Sequence, residues 1–241
     1  MKAEQDFYIG VQMVDQHKVI TNASYLELFS DICMKHSNLA GFTKTQGLSP
    51  ASWVVLNWKM KVYERGPFFS TIHLESWVQS FSGFRAVRSC VAKDPEGKIL
   101  AEGSAVWIAL NTATGTIFRL KPEFMEPFGT ADCDPVFPGY KFPDARSISF
   151  EPEFSAVVSV PRMMLDYNGH VHNSEYLNLA DEILPEEIDR RTTTDIEIIY
   201  KLEVKAEEKQ VLLEYAQKDG KYYVAVRSLK EKDLHALLVM G

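Results

Sequence analysis

The stretch LDYNGHVHNSEYLNLADEI (165–183) has a second copy in the first half of the chain, VDQHKVITNASYLELFSDI (14–32). An aspartate, an asparagine, a tyrosine and three aliphatic residues coincide at a constant offset of 151. Two further pairs of segments match in the same order: NWKMKV (57–62) with IYKLEV (199–204), and LESWVQSFSGFRAVRS (74–89) with LEYAQKDGKYYVAVRS (213–228). Because three matches in one order are improbable by chance, the sequence predicts an internal duplication.

Each copy predicts one helix followed by a meandering sheet. Asn22 and Asn173 each precede apolar residues at helical spacing, so we expect them to cap long helices over 23–40 and 174–190. Alternating, β-rich segments then predict antiparallel strands, and Asp219-Gly220 is a hairpin signal. The predicted strands are 54–63, 71–80, 85–93 and 99–111 in the first copy, and 195–203, 210–217, 222–229 and 235–240 in the second. The fold class is therefore α+β, with an antiparallel sheet wrapped around a long helix in each of two tandem repeats.

A proline-rich segment separates the two copies. Residues 121–146 hold five of the eleven prolines, and prolines at this density interrupt helices and sheets. We expect a linker that crosses the surface there, between an N-terminal repeat (1–120) and a C-terminal repeat (147–241).

Composition excludes several functional classes. Thirty-three acidic against 26 basic residues give a net charge of −7, which disfavours nucleic-acid binding. The longest apolar runs fall short of the ~20 residues that a membrane span needs. Three isolated cysteines give no disulfide framework, and the N-terminus lacks a signal or transit pattern, so we expect a cytoplasmic protein. Nucleotide-binding loops and a serine-hydrolase elbow are missing from the sequence, and we expect no cofactor.

The residues suited to chemistry gather in the second copy. An extended backbone would place Asp166, Asn168 and His170 on one face, just before a helix N-terminus that favours developing negative charge. This set suits acyl transfer, although each residue also has a purely structural interpretation. The first copy has Val19 where the second has His170, and Lys61 aligns with Glu203. We therefore expect one active site and one degenerate copy.

Other reactive side chains are interpreted structurally. His170-Val171-His172 suggests zinc, but the sequence offers no evident third ligand, so we expect no metal site. Cys33 and Cys90 lack an activating base nearby in sequence and are predicted to be core thiols.

The motif LDYNGHVHNSEYL, followed by YKLEV, resembles the acyl-ACP thioesterases of bacteria and plant plastids. SWVVLNWKMKVYERGPFFSTIHLESWV and GSAVWIALNTATGTIFRLKPEF resemble the first domain of that family. The resemblance implies a double hotdog fold and hydrolysis of acyl-carrier-protein thioesters to free fatty acid, which ends chain elongation. It assigns catalysis to Asp166, Asn168, His170 and Glu203. Plant members have a cysteine after that glutamate, whereas this chain has Val204, so a cysteine nucleophile is not available there.

Several alternatives stay open at this point. Glu203 would activate water while Asn168, His170 and a backbone amide polarise the carbonyl, or Asp166 would attack directly. The protein could instead be a hotdog acyl-CoA thioesterase or a non-catalytic acyl-binding sensor, and a homodimer is left open.

The first repeat is expected to hold the acyl chain. The expected partner is an acidic carrier protein that bears the chain on phosphopantetheine, and its docking on this acidic enzyme needs a local basic patch. The candidate acyl contacts are Trp53, Trp58, Met60 and Trp77. The candidate docking cations are Lys59, Lys61, Arg65, Arg85, Arg88, Arg190, Arg191 and Lys201.

Overall fold

The computed structural model describes residues 1–42, 51–111, 114–129 and 133–241. The chain divides into two compact units, unit 1 (Met1–Lys141) and unit 2 (Phe142–Gly241). The division falls inside the proline-rich segment, and the repeat bounds given above remain predictions.

Unit 1 consists of one long helix against an antiparallel sheet. Its sheet has the order β1–β3–β4–β5–β2. Its elements are β1 (Ala3–Tyr8), α1 (Asn22–Leu39), β2 (Ala51–Val62), β3 (Thr71–Ser82), β4 (Arg85–Lys93), β5 (Ile99–Asn111) and the short α2 (Pro122–Met125). Helix α1 packs across β1, β3, β4 and β5, and one of its side chains also reaches β2.

Unit 2 repeats this order of elements. Its sheet has the order β6–β8–β9–β10–β7, which is the order of unit 1 strand for strand. Its elements are β6 (Phe154–Ser159), α3 (Glu175–Asp181), β7 (Asp195–Tyr200), β8 (Gln210–Lys218), β9 (Lys221–Ser228) and β10 (Leu234–Met240). The predicted hairpin is present, with positive φ at both Asp219 and Gly220. The shared topology agrees with the duplication.

The core of unit 1 depends on a close approach between α1 and the sheet. The Phe29 ring stacks on Trp58 with centroids 6.2 Å apart. Gly103 on β5 allows this contact, because a Cβ at that position would lie 2.8 Å from the Phe29 ring. The helix therefore meets the sheet where a strand carries no side chain.

Two predicted helix features are wrong. The second helix has seven residues and ends at Asp181, because Pro185 removes a donor and disfavours helical geometry in the residue before it. The predicted asparagine caps are also wrong, since Thr21 caps α1 by accepting from the Ser24 amide at 3.1 Å. Asn22 instead accepts from Arg65, and the residue before α3, Ser174, makes no side-chain cap bond.

The sheets contain two strands that were not predicted. β1 pairs with β3, and β6 pairs with β8. Most residues of β1 and β6 are not fully buried, so their sequences need not alternate between apolar and polar residues and give only a weak strand signal.

The first part of segment 121–146 does not run over the surface. Met125 and Phe128 are only 3% and 1% exposed, and they pack with Phe42 and Leu120 in the core of unit 1. Prolines therefore end regular structure here without expelling the neighbouring aromatic residues from the core.

Candidate functional site

The segment that carries the candidate residues forms a tight turn. The Asp166 amide donates to the His170 carbonyl at 2.8 Å, and the Gly169 amide donates to the Asp166 carbonyl at 3.0 Å. Gly169 has φ of 77°, a conformation that favours glycine. The expected extended backbone is therefore wrong, and the turn rather than a period of two brings Asp166, Asn168 and His170 together.

The Asp166 carboxylate organises this turn. Its Oδ1 accepts from the amides of Asn168 and His170 at 2.8 and 3.1 Å, and its Oδ2 accepts from the Asn168 side-chain amide at 3.2 Å. An aspartate that accepts from amides two and four residues later is a typical turn former. The side chain of Asn168 is thereby oriented, and one of its two N–H groups remains to serve a ligand.

Glu203 lies beyond the end of β7 rather than on it. The amides of Lys201 and Leu202 both donate to the His235 carbonyl, at 2.8 and 3.3 Å, which ends the regular pairing. The next segment then pairs with the turn, since the Val171 amide donates to the Val204 carbonyl at 2.9 Å. A β-bridge joins His170 to Lys205. The backbone thus carries Glu203 alongside His170.

Tyr176 fixes this crossing from the helix side. The Val204 amide donates to its hydroxyl oxygen at 3.2 Å. Burial raises the pKa of Tyr176 to about 12, so the hydroxyl stays neutral. Tyr176 was not predicted as part of the site. Its recurrence as Tyr25 in the first copy is the feature of the sequence that indicates a role for it.

The Glu203 carboxyl remains ionised at neutral pH. Burial raises its pKa, but its own backbone amide, the Lys205 ammonium at 3.4 Å and the nearby His170 outweigh burial and lower the pKa below its ordinary value. The Glu203 side chain is 47% exposed, so water reaches it. Lys205 was not among the predicted residues. The His170 ring makes no hydrogen bond to any residue within the described ranges.

The first copy has the same backbone with different side chains. Asp15 accepts from the amides of His17 and Val19, as Asp166 does from Asn168 and His170. The Gly66 amide donates to the Tyr25 hydroxyl at 3.2 Å.

These bonds set the register between the two copies. Gly66 makes the bond to Tyr25 that Val204 makes to Tyr176. The residue before Gly66 is Arg65, which is therefore the counterpart of Glu203. The sequence alignment of Glu203 with Lys61 is wrong by four positions, because it places the strands themselves out of register. The amides of Tyr63 and Glu64 donate to the Leu100 carbonyl as those of Lys201 and Leu202 donate to the His235 carbonyl.

The predicted acyl contacts are core residues of unit 1. Trp58, Met60 and Trp77 are almost completely buried, and Trp53 is partly buried and stacks on Phe42 with centroids 4.5 Å apart. Trp53 contacts the cluster around Phe42, whereas Trp58 lies against Phe29. Their role toward an acyl chain stays a prediction.

Several predicted docking cations are engaged or buried. Arg88 is only 2% exposed and Lys59 only 8%, so neither presents its charge to a partner. Arg65 donates to the Ile20 carbonyl and the Asn22 side chain, at 3.0 and 2.8 Å. Lys201 is exposed and lies 3.4 Å from Asp144. Among the described residues, no cluster of three or more His, Cys, Asp or Glu side chains could hold a metal ion.

Two sequence-family models match nearly the whole chain. The acyl-ACP thioesterase N-terminal domain matches residues 1–128, and the acyl-ACP thioesterase C-terminal domain matches residues 150–232. The chain belongs to the acyl-ACP thioesterase family. The predicted activity is thereby confirmed at the level of the family: the protein is a thioester hydrolase of acyl-ACP. No curated protein matches the chain significantly.

Solved structures of thioesterases share the fold of this acyl-ACP thioesterase. A protein described as an oleoyl thioesterase from Lactobacillus plantarum superposes with a TM-score of 0.83 and 17% identity, over 100% of this chain and 95% of its own. An acyl-ACP thioesterase from Bacteroides thetaiotaomicron superposes with a TM-score of 0.81 and 18% identity, over 99% of this chain and 96% of its own. The 12:0-ACP thioesterase from Umbellularia californica superposes with a TM-score of 0.78 and 16% identity, over 99% of this chain and 96% of its own. The predicted double hotdog fold is confirmed. Within the described ranges, no helix has the length and apolar character to cross a membrane.

Proposed function

We propose that Asp166, Asn168, His170 and Glu203 form the hydrolytic site of this acyl-ACP thioesterase. The observation that carries the proposal is the pairing of the Asp166 turn with the segment after β7. The Val171–Val204 hydrogen bond and the His170–Lys205 bridge bring a carboxylate, an amide and an imidazole onto one small surface of unit 2.

The carbonyl of the thioester needs hydrogen-bond donors as negative charge develops on its oxygen. The second N–H of the Asn168 side chain is one donor, because the first is already given to Asp166. The His170 ring is the other. Backbone amides at a helix N-terminus are not included among the donors to the thioester oxygen, since α3 has only seven residues and begins at Glu175.

Glu203 acts as the general base toward water. The water oxygen forms a bond to the carbonyl carbon while Glu203 accepts its proton. The carbon–sulfur bond then breaks, and the carrier thiolate takes up a proton as the free fatty acid leaves. The exposed fraction of Glu203 admits water, and its lowered pKa keeps the carboxylate ionised.

Direct attack by Asp166 is the weaker alternative. Both of its oxygens accept hydrogen bonds from the turn, three in total, and these bonds stabilise the carboxylate against acting as a nucleophile. Attack would also release Asn168 from its oriented position. The position after Glu203 offers no cysteine nucleophile, because it is Val204, and Cys33 and Cys90 lie in the core of unit 1.

The test is hydrolysis of matched acyl-ACP and acyl-CoA series by the whole chain. We expect turnover of acyl-ACP, with His170→Ala lowering kcat/KM by about 10²–10⁴-fold and His17→Ala leaving it within about twofold of the wild type. Equal losses at His17 and His170 would contradict a single site. Preference for acyl-CoA would favour the alternative carrier, and binding without turnover would favour the sensor function.

We further propose that unit 1 contributes the acyl-chain contacts through Trp53, Trp58, Met60 and Trp77, with the acidic carrier protein as partner. Each buried methylene contributes about 0.8 kcal/mol, so Met60→Trp should shorten the preferred chain measurably. A change in stability without any change in product profile would contradict this assignment.

We also infer a cytoplasmic location for the activity. Cys33 and Cys90 are free thiols with their sulfur atoms 3.4 Å apart. Two adjacent unbridged thiols fit a reducing compartment.

A further inference from the structure

A buried arginine in unit 1 has no acidic partner among the residues that the structure describes. Arg88 on β4 is 2% exposed, and only one of its nitrogens is used, Nη1, which donates to Ser37 Oγ at 2.9 Å. Its Nε and Nη2 are buried without a hydrogen-bond partner. No carboxylate of a described residue lies within 4.0 Å of the guanidinium. A buried charge with no partner is costly, so a protein retains one only where something compensates it.

The unused edge of Arg88 has a specific shape. Nε and Nη2 present two parallel N–H groups on one side of the planar guanidinium, which is the geometry that binds both oxygens of a carboxylate at once. The Cys33 sulfur makes its hydrogen bonds with Cys90 and Ser76 rather than with this edge. Burial raises the pKa of the Cys33 thiol, but the bond with Cys90 and the nearby Arg88 outweigh burial and lower that pKa.

Aromatic side chains lie close to the Arg88 guanidinium. Phe128 contacts Arg88, whose Cζ lies 5.7 Å from the ring centroid, and His36, whose ring lies 5.2 Å away edge-on. Phe42 and Trp53 pack on the same phenyl ring at 6.1 and 6.3 Å. We call these five residues the Phe128 cluster.

His36 adds a second unused polar group to the cluster. It is completely buried, and neither ring nitrogen makes a hydrogen bond of standard geometry, although a backbone contact with Phe128 acts on the ring. Burial and the neighbouring Arg88 lower its pKa to about 3. The ring is therefore neutral at pH 7 and offers one N–H donor.

We propose that Arg88 and His36 form a carboxylate-binding site inside unit 1, and that its ligand is a carboxylate carried on an apolar chain. Two sources share this chemistry: a free fatty acid, and the far carboxylate of a dicarboxylic acyl thioester. The bidentate edge of Arg88 selects the carboxylate, and the rings of the Phe128 cluster select the chain. The proposed function is needed only for the second source, in which the chain enters as part of the substrate.

Calorimetry on the whole chain tests binding without requiring turnover. Dodecanoate is expected to bind, whereas dodecan-1-ol, which lacks the carboxylate, and acetate, which lacks the chain, are expected to bind at least tenfold more weakly. Dodecanoate that binds no better than dodecan-1-ol overturns the proposal without any variant being made.

Variants then locate the site. Arg88→Met should weaken the binding of dodecanoate by about 30-fold or more, because a buried charged partner is lost. Arg88→Lys should also weaken this binding, because an ammonium lacks the bidentate edge. Arg85→Met is the matched control, since Arg85 is exposed on the same strand, and it should bind as the wild type does. His170→Ala should also bind normally, which separates this site from the catalytic turn. Unchanged binding in a folded Arg88→Met protein overturns the assignment.

A last measurement separates the two sources and the two proposals. If the ligand enters as substrate, the monothioester of dodecanedioic acid is hydrolysed faster than the dodecanoyl thioester by the wild type, and Arg88→Met removes that preference. If the ligand is free fatty acid, only dodecanoate binding depends on Arg88. If thioesters are hydrolysed but neither the thioester preference nor dodecanoate binding depends on Arg88, this inference is overturned and the proposed function stands. If dodecanoate binding depends on Arg88 but no thioester is hydrolysed, the proposed function is overturned and this inference stands.

Discussion

The two aspartate turns of the molecule share a backbone and differ in their side chains. In each turn an aspartate, Asp15 or Asp166, accepts from amides two and four residues later. In each, a residue with positive φ follows, Lys18 at 63° and Gly169 at 77°. The two copies therefore share the scaffold of the turn and differ in the side chains that it carries.

The sharpest difference lies where Arg65 in unit 1 corresponds to Glu203 in unit 2. Arg65 donates to the Ile20 carbonyl and to Asn22, so its charge holds the loop in place. Glu203 makes no comparable bond across to the turn within the described residues, and its carboxylate is half exposed. One position thus holds a structural cation in unit 1 and the proposed general base in unit 2.

Exchanging the charge at this position should give the largest contrast. Glu203→Gln should lower kcat/KM by about 10²–10⁴-fold with little change in the free energy of unfolding, because a base is lost but no structural bond is. Arg65→Met should leave kcat/KM within about threefold and lower the free energy of unfolding by about 1–2 kcal/mol. Steady-state kinetics and urea unfolding measure both. Loss of activity in a stable Arg65→Met protein would contradict the division of roles.

The two aspartates should separate in the same manner. Asp15→Ala and Asp166→Ala should each lower the free energy of unfolding by about 1 kcal/mol, since each removes two bonds to backbone amides. Only Asp166→Ala should also lower kcat, by about tenfold or more, because Asn168 loses its orientation. If Asp166 attacks the thioester directly, quenched reactions should contain a covalent acyl-enzyme, whereas the water route leaves none.

The acidic side of the pH profile should shift when Lys205 loses its charge. Lys205 lowers the pKa of Glu203, and activity requires the carboxylate, so activity falls as the pH drops through that pKa. Lys205→Met should therefore move the acidic limb of kcat/KM to higher pH. The shift should be less than about one unit, because both side chains are about half exposed. Lys209→Met is the control, since the Lys209 ammonium donates to the Ala206 carbonyl, and an unmoved limb in Lys205→Met would exclude Glu203 as the titrating base.

The smallest effect is expected at the position with positive φ. Lys18→Gly should raise the free energy of unfolding by less than about 1 kcal/mol, because glycine adopts this conformation without a steric cost. Gly169→Lys should lower it by about 1 kcal/mol, and space does not prevent this variant, since a Cβ at Gly169 meets nothing within 4 Å. Thermal unfolding of both variants measures the pair. A change of the same sign in both variants would show that the two turns are not equivalent.

The sequence by itself determined the repeated architecture and the residue types of the proposed site. The duplicated motif, alternating strands and the Asp219-Gly220 turn are local signals, and the strands that they predict lie within a few residues of the observed ones. Asp166, Asn168, His170 and Glu203, the residues of the proposed site, could be named from two short segments and the family resemblance that these carry.

Tertiary structure decided what the sequence could not. The length of α3 depends on the chain around Pro185, and the equivalence of Glu203 with Arg65 depends on hydrogen bonds to Tyr176 and Tyr25. The burial of Arg88 could not be read from a strand that also carries exposed charges such as Arg85. Contacts between residues distant in sequence set each of these features, because burial, register and charge pairing arise only when separate segments pack together.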